Sequence, residues 1–315
     1  PQIHERDQWE ALPSIVREEL IRRGEERLGQ PWQPLLATRF LEYVRIGNRT
    51  GYEQDSFARR RMLSELLFAE CAQGKGRFLD AIIDGVWLIC EETYWGVPAH
   101  VHLQKAGDGL PDIAEPTVDL FVAETASTLA HVAYLLKSSF DTVSPLIVER
   151  VEYEIDRRLL TPLLERDDFG WMSLNTQQRP NNWNPWINSN WMACVLYIEA
   201  DDTRRQQATH KILLTLDRFI ASQPAAGGCD EGPLYWGRSA GSLFDCLELV
   251  YEATNGKVNI FEDPLIQDMG RFAYRAHING RHYINFADAS PINHLDASLL
   301  YHYGKHIHDT DLMAF

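Results

Sequence analysis

Apolar residues recur at helical spacing along most of this chain, and the alternation typical of strands is almost absent. The clearest helix is predicted over residues 117–138, where one largely apolar face is formed by Phe121, Thr125, Leu129, Val132 and Leu136. The same spacing predicts further helices over 16–28 (with Ser14 as its cap), 35–46, 57–72, 78–91, 142–165, 189–200, 203–222, 236–253 and 264–277, and another that opens near 295. The pattern therefore predicts an all-α protein.

The predicted helices fall into five consecutive pairs with mostly short connections inside each pair. Short connections make antiparallel neighbours, and pairs repeated around a centre form a solenoid or a closed toroid. No strict repeat is visible, which disfavours regular helical arrays. Long connections at 92–116, 166–186 and 224–235 fall between pairs and would gather on one rim of a toroid. We predict one incomplete (α/α) toroid of five to six hairpins over 1–315.

Composition and charge narrow the function classes. The chain has 315 residues, 45% of them hydrophobic and 24% charged, which is typical of a globular protein. Its net charge of -15 argues against a nucleic-acid partner, and no apolar run approaches the length of a membrane span. Because the chain begins at Pro1 with no apolar leader, we expect a mature or excised segment, whose compartment the composition does not assign.

The five cysteines lie far apart and form no CxxC pair. Most of them sit in apolar runs, which favours buried free thiols over a disulfide framework or a zinc site.

Two short stretches have a composition that is unusual for core helices. Residues 181–191 contain five asparagines and three tryptophans, and residues 229–238 combine acids, turn formers, a tyrosine and a tryptophan. Asparagine is poor in helix interiors because its side chain competes for backbone hydrogen bonds. Cap chemistry explains some of these residues, since Asn188 or Asn190 would cap a following helix.

Tryptophan beside carboxamides also suits the binding of sugar rings, with indole faces for the rings and amides for the hydroxyls. We therefore predict a carbohydrate site in these stretches. A third segment, 91–102, repeats the combination of tryptophan and turn residues around Trp95 and adds His100, which is a better site candidate than the solvated His102.

With these residues in hand, the chain resembles the helical portion of the heparinase II/III-like polysaccharide lyases. The resemblance runs through nearly the whole chain and is carried by these segments: Trp95 to His100, Asp119 to Thr125, Asn182-Trp183, Asp230 to Trp236, and Tyr283 to Asp288. It implies an (α/α) toroid that is followed, in the family, by a β-sandwich domain with a further catalytic histidine, so we expect a covalently linked C-terminal β domain. It also implies a periplasmic or secreted protein.

The resemblance implies cleavage of uronic-acid glycans by β-elimination. Removing the proton alpha to a carboxylate adds negative charge to an anion, so the site needs a neutralising donor, a base, and an acid for the leaving oxygen. Asn182 is the predicted neutraliser, and Tyr235 the predicted base and acid, with His100 nearby. An ordinary phenol has a pKa near ~10, so a phenolate needs cationic neighbours; Arg238 follows three residues later. We expect no cofactor and no metal.

The residues predicted to bind substrate are the remaining amides, aromatics and charged groups of the three stretches: Asn181, Asn184, Trp95, Trp183, Trp186, Glu231, Trp236 and Arg238. The expected partner is an acidic polysaccharide or oligosaccharide. The net negative charge disfavours a sulfated polymer unless basic residues converge in one track, with these candidates: Lys105, Arg179, Arg238, Arg271, Arg275 and Arg281.

Two alternatives stay open from the residues alone. Asp230 and Glu231 suggest a glycoside hydrolase, but adjacent side chains diverge, so a partner carboxylate such as Glu92 or Asp119 would be required. A domain that binds glycan without cleaving it is the other alternative.

Overall fold

A computed structural model describes residues 1–175 and 178–315 of the chain. The described residues are 64% helical with almost no strand, so the all-α prediction is confirmed. They form two compact units, Pro1–Glu165 with Tyr197–Ala200, and Arg166–Leu196 with Asp201–Phe315. The arrangement of helices into one toroid stays a prediction. Thr176 and Gln177, in the predicted connection 166–186, lie outside the described residues.

The first unit is built from helices that differ greatly in length. They are α1 (Arg6–Glu10), α2 (Ser14–Arg27), α3 (Ala37–Phe40), α4 (Glu42–Ile46), α5 (Thr50–Gln73), α6 (Leu79–Cys90), α7 (Leu120–Val143), α8 (Leu146–Ile155) and α9 (Thr161–Glu165), with a 3-10 turn at Pro98–Leu103 and a π turn at Asp156–Leu160. Helix α5 packs against α6 and α7 packs against α8, as the predicted pairs require.

The predicted pairing fails at the beginning of the chain. Helix α2 packs mainly against α5, and the predicted helix 35–46 is divided into the short α3 and α4. The α2–α5 approach is close because Gly24 is buried there, where a Cβ would overlap that of Ala69. The predicted cap Ser14 is instead the first helical residue, and Pro13 precedes it without a side-chain cap.

The predicted helix 142–165 is interrupted by the π turn at Asp156–Leu160. Pro162 lies two residues after this turn and has no N–H to donate to the carbonyl four residues earlier, which favours a local change of helical winding.

The second unit contains the long helices that carry both unusual stretches. They are α10 (Trp183–Tyr197, its last residue assigned to the first unit), α11 (Asp202–Ser222), α12 (Ala240–Ala253), α13 (Pro264–Arg275), α14 (Ala297–His306) and α15 (Thr310–Ala314), with 3-10 turns at Gly170–Met172 and Pro233–Arg238 and a small antiparallel pair, β1 (His277–Asn279) and β2 (His282–Tyr283). Helix α12 packs against α13 and α14, and α15 packs against α13 and α14.

Aspartates begin many of these helices. Their carboxylates accept hydrogen bonds from first-turn N–H groups, which satisfies donors that have no helical partner; the capping residues are Asp119, Asp201, Asp263, Asp296 and Asp309.

All five cysteines are free and buried, as predicted. Among the helices of the described residues, none has the length and apolar character needed to cross a membrane.

Candidate functional site

The two unusual stretches meet in the second unit. Nδ2 of Asn182 donates a hydrogen bond of 2.6 Å to Oε2 of Glu231. The guanidinium of Arg238 lies 4.2 Å from the centroid of the Trp186 ring, within the range of a cation–π contact. These contacts join the start of α10 to the segment that leads into α12, and all four residues are among those selected from the sequence.

Glu231 has an altered acidity. It is half-buried, and burial raises the pKa of its carboxyl, as do the charges of Asp230 and Asp288. The hydrogen bond from Asn182 acts in the opposite direction, because it stabilises the carboxylate. Exposed Arg179 approaches Asp230 at 3.7 Å and is a weaker link to the same segment. The protonated form of Glu231 is therefore more accessible than that of an ordinary glutamate.

Helix α10 begins earlier than the sequence predicted. It was expected from 189, yet its first helical residue is Trp183, and Asn181 supplies an Oδ1 that accepts from the N–H of that residue. Asn188 and Asn190 were considered as caps; both lie inside the helix, so that interpretation is wrong.

Buried amides explain how an asparagine-rich segment is stable as a helix. Asn184 is 0% exposed and donates to the carbonyls of Trp171 and Thr215, at 3.0 and 3.1 Å. Asn188, equally buried, donates to Oδ1 of Asn184 and to Oγ1 of Thr215. Asn184 was predicted to bind substrate, but its side chain is enclosed and engaged in tying α10 to α11, so its position corrects that prediction.

Two of the predicted aromatic contacts lie in the interior. Trp236 is 0% exposed and its indole N–H donates to the carbonyl of Met269 at 2.8 Å. Trp95, in the first unit, is 1% exposed; its N–H donates to the carbonyl of Ile89, and Arg158 stacks on its ring at 4.5 Å. Neither ring has an exposed face for a sugar, and the prediction that they contact substrate is corrected accordingly.

Trp183 and Trp186 are less completely buried than Trp95 and Trp236. Trp183 is half-buried, and Trp186 is largely buried with Arg238 over its ring. Both lie in the first turn of α10, which directly follows Asn182 in the sequence.

Tyr235 lies in the 3-10 turn Pro233–Arg238, which packs against α12 and α13. Gly232 precedes the turn with a φ of 91°, and a side chain there would collide with Ala289. Residues three apart eclipse in a 3-10 helix, so Tyr235 and Arg238 project to the same side of the turn. Tyr235 is half-buried, and its hydroxyl forms no hydrogen bond to any residue of 1–175 or 178–315.

His100 is oriented by a buried carboxylate in the first unit. Its Nδ1 lies 2.8 Å from Oδ2 of Asp119, which is 0% exposed, and its ring stacks on Phe121. Asp119 also accepts from two first-turn N–H groups of α7 through Oδ1. Asp119 thus fixes the orientation of the imidazole, which the sequence placed beside Trp95 without identifying its partner.

A cavity of about 520 Å³ adjoins the turn of Tyr235 within the second unit. Its walls include polar and charged side chains that the sequence analysis missed: Asp245, Glu248, His294, Asp296 and His302. Asp245 reaches solvent through this cavity, yet the surrounding walls and Glu248 raise its pKa to about 6. The spacing of Asp245 and Glu248 on one turn of an otherwise apolar helix was the available signal.

The predicted basic track is weakened by ion pairs. Arg271 bonds to Asp309 at 2.8 Å and approaches Asp268, while Arg275 lies 3.0 Å from Asp268. These two guanidiniums are locally neutralised and do not supply a free cationic surface.

Within the described part of the chain, no group of three or more histidine, cysteine or acidic side chains is arranged to hold a metal ion. Comparison with protein-family models gives no match, and no curated protein matches the chain.

Proposed function

We propose that the chain is the helical portion of a polysaccharide lyase that cleaves uronic-acid-containing glycans by β-elimination. The observation that carries the proposal is the hydrogen bond between Asn182 and Glu231, because it brings together two stretches selected independently for carbohydrate chemistry. On this proposal the helices belong to an incomplete (α/α) toroid of the heparinase II/III-like type, and a β domain completes the cleft.

Asn182 and Glu231 act as one neutralising unit in this proposal. Asn182 was predicted to neutralise the uronate carboxylate itself, but it is 3% exposed and donates to Glu231. In this proposal its amide therefore positions Glu231 and does not contact the substrate. Glu231, whose carboxyl has a raised pKa, is assigned to donate to the uronate carboxylate in the fraction of molecules in which it carries a proton. A neutral donor lowers the cost of the second negative charge without trapping the anionic product.

Tyr235 performs the proton transfers. Its phenolate takes the proton alpha to the carboxylate, and the resulting phenol returns a proton to the glycosidic oxygen as its bond to the sugar breaks. Arg238, on the same side of the 3-10 turn, is the cationic side chain assigned to the anionic substrate beside Tyr235. His100, held by Asp119, is assigned to the same reaction through the resemblance alone.

Substrate binding is assigned to side chains that reach the surface beside these groups. Asn181 and Arg238 are exposed and Trp183 is half-buried, while Trp186 supports Arg238 from below. Because the protein is acidic and Arg271 and Arg275 are paired, we assign a uronate glycan of low sulfation as substrate.

The raised pKa of Glu231 also favours a second candidate, a glycoside hydrolase in which Glu231 is the general acid. One assay separates the two. The full chain is incubated with unsulfated uronate polymers, and ultraviolet absorbance of unsaturated ends is followed together with reducing ends. A parallel rise in both supports elimination, and reducing ends without absorbance support hydrolysis. If neither changes while the polymer binds, the domain is a non-catalytic glycan binder.

A further inference from the structure

A second cavity lies wholly within the first unit, and residues 91–94, from the segment that carries Trp95 and His100, form part of its wall. Its volume is about 390 Å³, within the usual range of small-molecule sites. Apolar and aromatic side chains form most of its wall: Leu35, Phe40, Tyr52, Leu88, Tyr94 and Leu110. Phe40 packs edge-on against Tyr52, with ring centroids 4.8 Å apart. Such a wall favours a ligand with an apolar, ring-containing body.

A buried guanidinium also lines this cavity. Arg59 is 8% exposed, its Nε donates to the carbonyl of Gln33 at 2.6 Å, and its Nη1 donates to Oε1 of Glu92 at 3.0 Å. Nη2 of Arg59 forms no hydrogen bond to any described residue, and this atom is not among the fully buried ones. Burying a guanidinium N–H group without an acceptor costs free energy of folding. The N–H groups on Nη2 of Arg59 therefore indicate a place where a ligand would supply the acceptor.

The local charge balance favours an anion. Arg60 also bonds to Glu92, with Nη1 at 2.7 Å from Oε1, so two guanidiniums share one carboxylate. Glu91 also lines the cavity but is exposed to solvent, so Glu92 is the buried carboxylate beside the two guanidiniums. A carboxylate ligand at Arg59 would therefore meet a local excess of buried positive charge.

Tyr52 provides a further donor. It is 6% exposed, and its hydroxyl has no hydrogen-bond partner among residues 1–175 and 178–315. Burial, together with the charge of Glu92, raises the pKa of Tyr52 to about 12, so the phenol keeps its proton at neutral pH. The Tyr52 hydroxyl is likewise not among the fully buried atoms, and it could donate a hydrogen bond to a carboxylate oxygen of a ligand.

We propose that this cavity binds a small hydrophobic carboxylate, with its acid group at Arg59 and Tyr52 and its apolar body against Phe40, Leu35 and Leu88. None of the side chains assigned to the lyase reaction lines this cavity, so the proposal does not rest on that reaction. It would give the protein a small-molecule ligand besides any glycan.

The test uses the full chain and two matched probes, 4-phenylbutyrate and 4-phenylbutan-1-ol, titrated by calorimetry. We expect the acid to bind at least tenfold more tightly than the alcohol. Arg59→Gln should remove this preference, whereas Arg61→Gln, at an exposed arginine of the same helix, should keep it. Equal affinity of acid and alcohol for the unmodified chain, or no binding of either, would overturn the proposal.

A second variant covers the case in which Arg59→Gln does not fold. Ala37 lines the cavity but is exposed, so Ala37→Trp fills the space without removing a buried polar contact. We expect it to abolish binding of both probes. Undiminished binding of 4-phenylbutyrate to Ala37→Trp would place the ligand elsewhere and refute the assignment.

Discussion

The side-chain amide of Asn182 donates to the carboxyl of Glu231 at 2.6 Å, across 49 residues of sequence. This hydrogen bond holds the first turn of α10 beside the segment that carries Tyr235. It also keeps a carboxyl of raised pKa in a defined position, and this combination is what the proposed chemistry uses.

Asn182→Asp should destabilise the second unit, because it places a second carboxyl against Glu231 and removes the amide donor. We expect a loss of about 1–3 kcal/mol in the free energy of unfolding at pH 7. The loss should shrink at pH 5, where the two carboxyls share a proton more readily. Urea denaturation at both pH values measures it. Asn181→Asp, at the exposed neighbour, is the matched control, and equal losses in the two variants would argue against the Asn182–Glu231 interaction.

Trp95 should contribute to stability rather than to substrate contact. Its ring is 1% exposed, so Trp95→Ala should cost about 3–5 kcal/mol of unfolding free energy through loss of packing. Trp87→Ala, at a ring that is 40% exposed, should cost far less. Thermal or denaturant unfolding of both variants makes the comparison. A Trp95→Ala protein with native stability and impaired glycan binding would restore the original substrate-binding prediction.

The acidity of Asp245 should make stability depend on pH. Its pKa is raised from 3.8 to about 6, so between these values the folded state binds a proton that the unfolded state does not. Stability contributed by this group is therefore present at low pH and declines as pH rises through about 4 to 6.

Asp245→Asn should remove that decline. Relative to the unmodified chain, the variant should gain stability on going from pH 4 to pH 7, by about 1 kcal/mol after allowance for the solvent that reaches the side chain. Asp217→Asn, at an exposed position of α11, should show no such gain. Parallel pH profiles for Asp245→Asn and the unmodified chain would contradict the assigned pKa.

Helical periodicity was sufficient to locate several long helices. Three predicted helices begin and end within two residues of the observed ones. The predicted ranges are 78–91, 203–222 and 264–277, and the observed helices are Leu79–Cys90, Asp202–Ser222 and Pro264–Arg275. One-sided apolar patterns are local signals, so they can be read without knowing what a helix packs against. The aspartate caps were also local signals, but the predicted caps were Ser14, Asn188 and Asn190. The burial of the cysteines followed from the same apolar context.

The partners of polar and aromatic side chains could not be read in this way. Asn184 looked unsuited to a helix interior because its acceptors, the carbonyls of Trp171 and Thr215, are supplied by other elements. Trp236 looked like a surface ring because nothing local reveals the carbonyl of Met269 that takes its N–H. Composition thus identified which stretches meet, but not which side chains face inward.

The most direct test of the central claim is the elimination activity of Tyr235→Phe on whichever unsulfated uronate polymer the unmodified chain cleaves. Removing the phenol should lower the rate of unsaturated-product formation at least ~100-fold, as expected for loss of a general acid–base group. The unfolding free energy should stay unchanged, and Tyr301→Phe, at an exposed tyrosine of the same unit, should keep full activity. Undiminished formation of the unsaturated product by Tyr235→Phe would contradict the account.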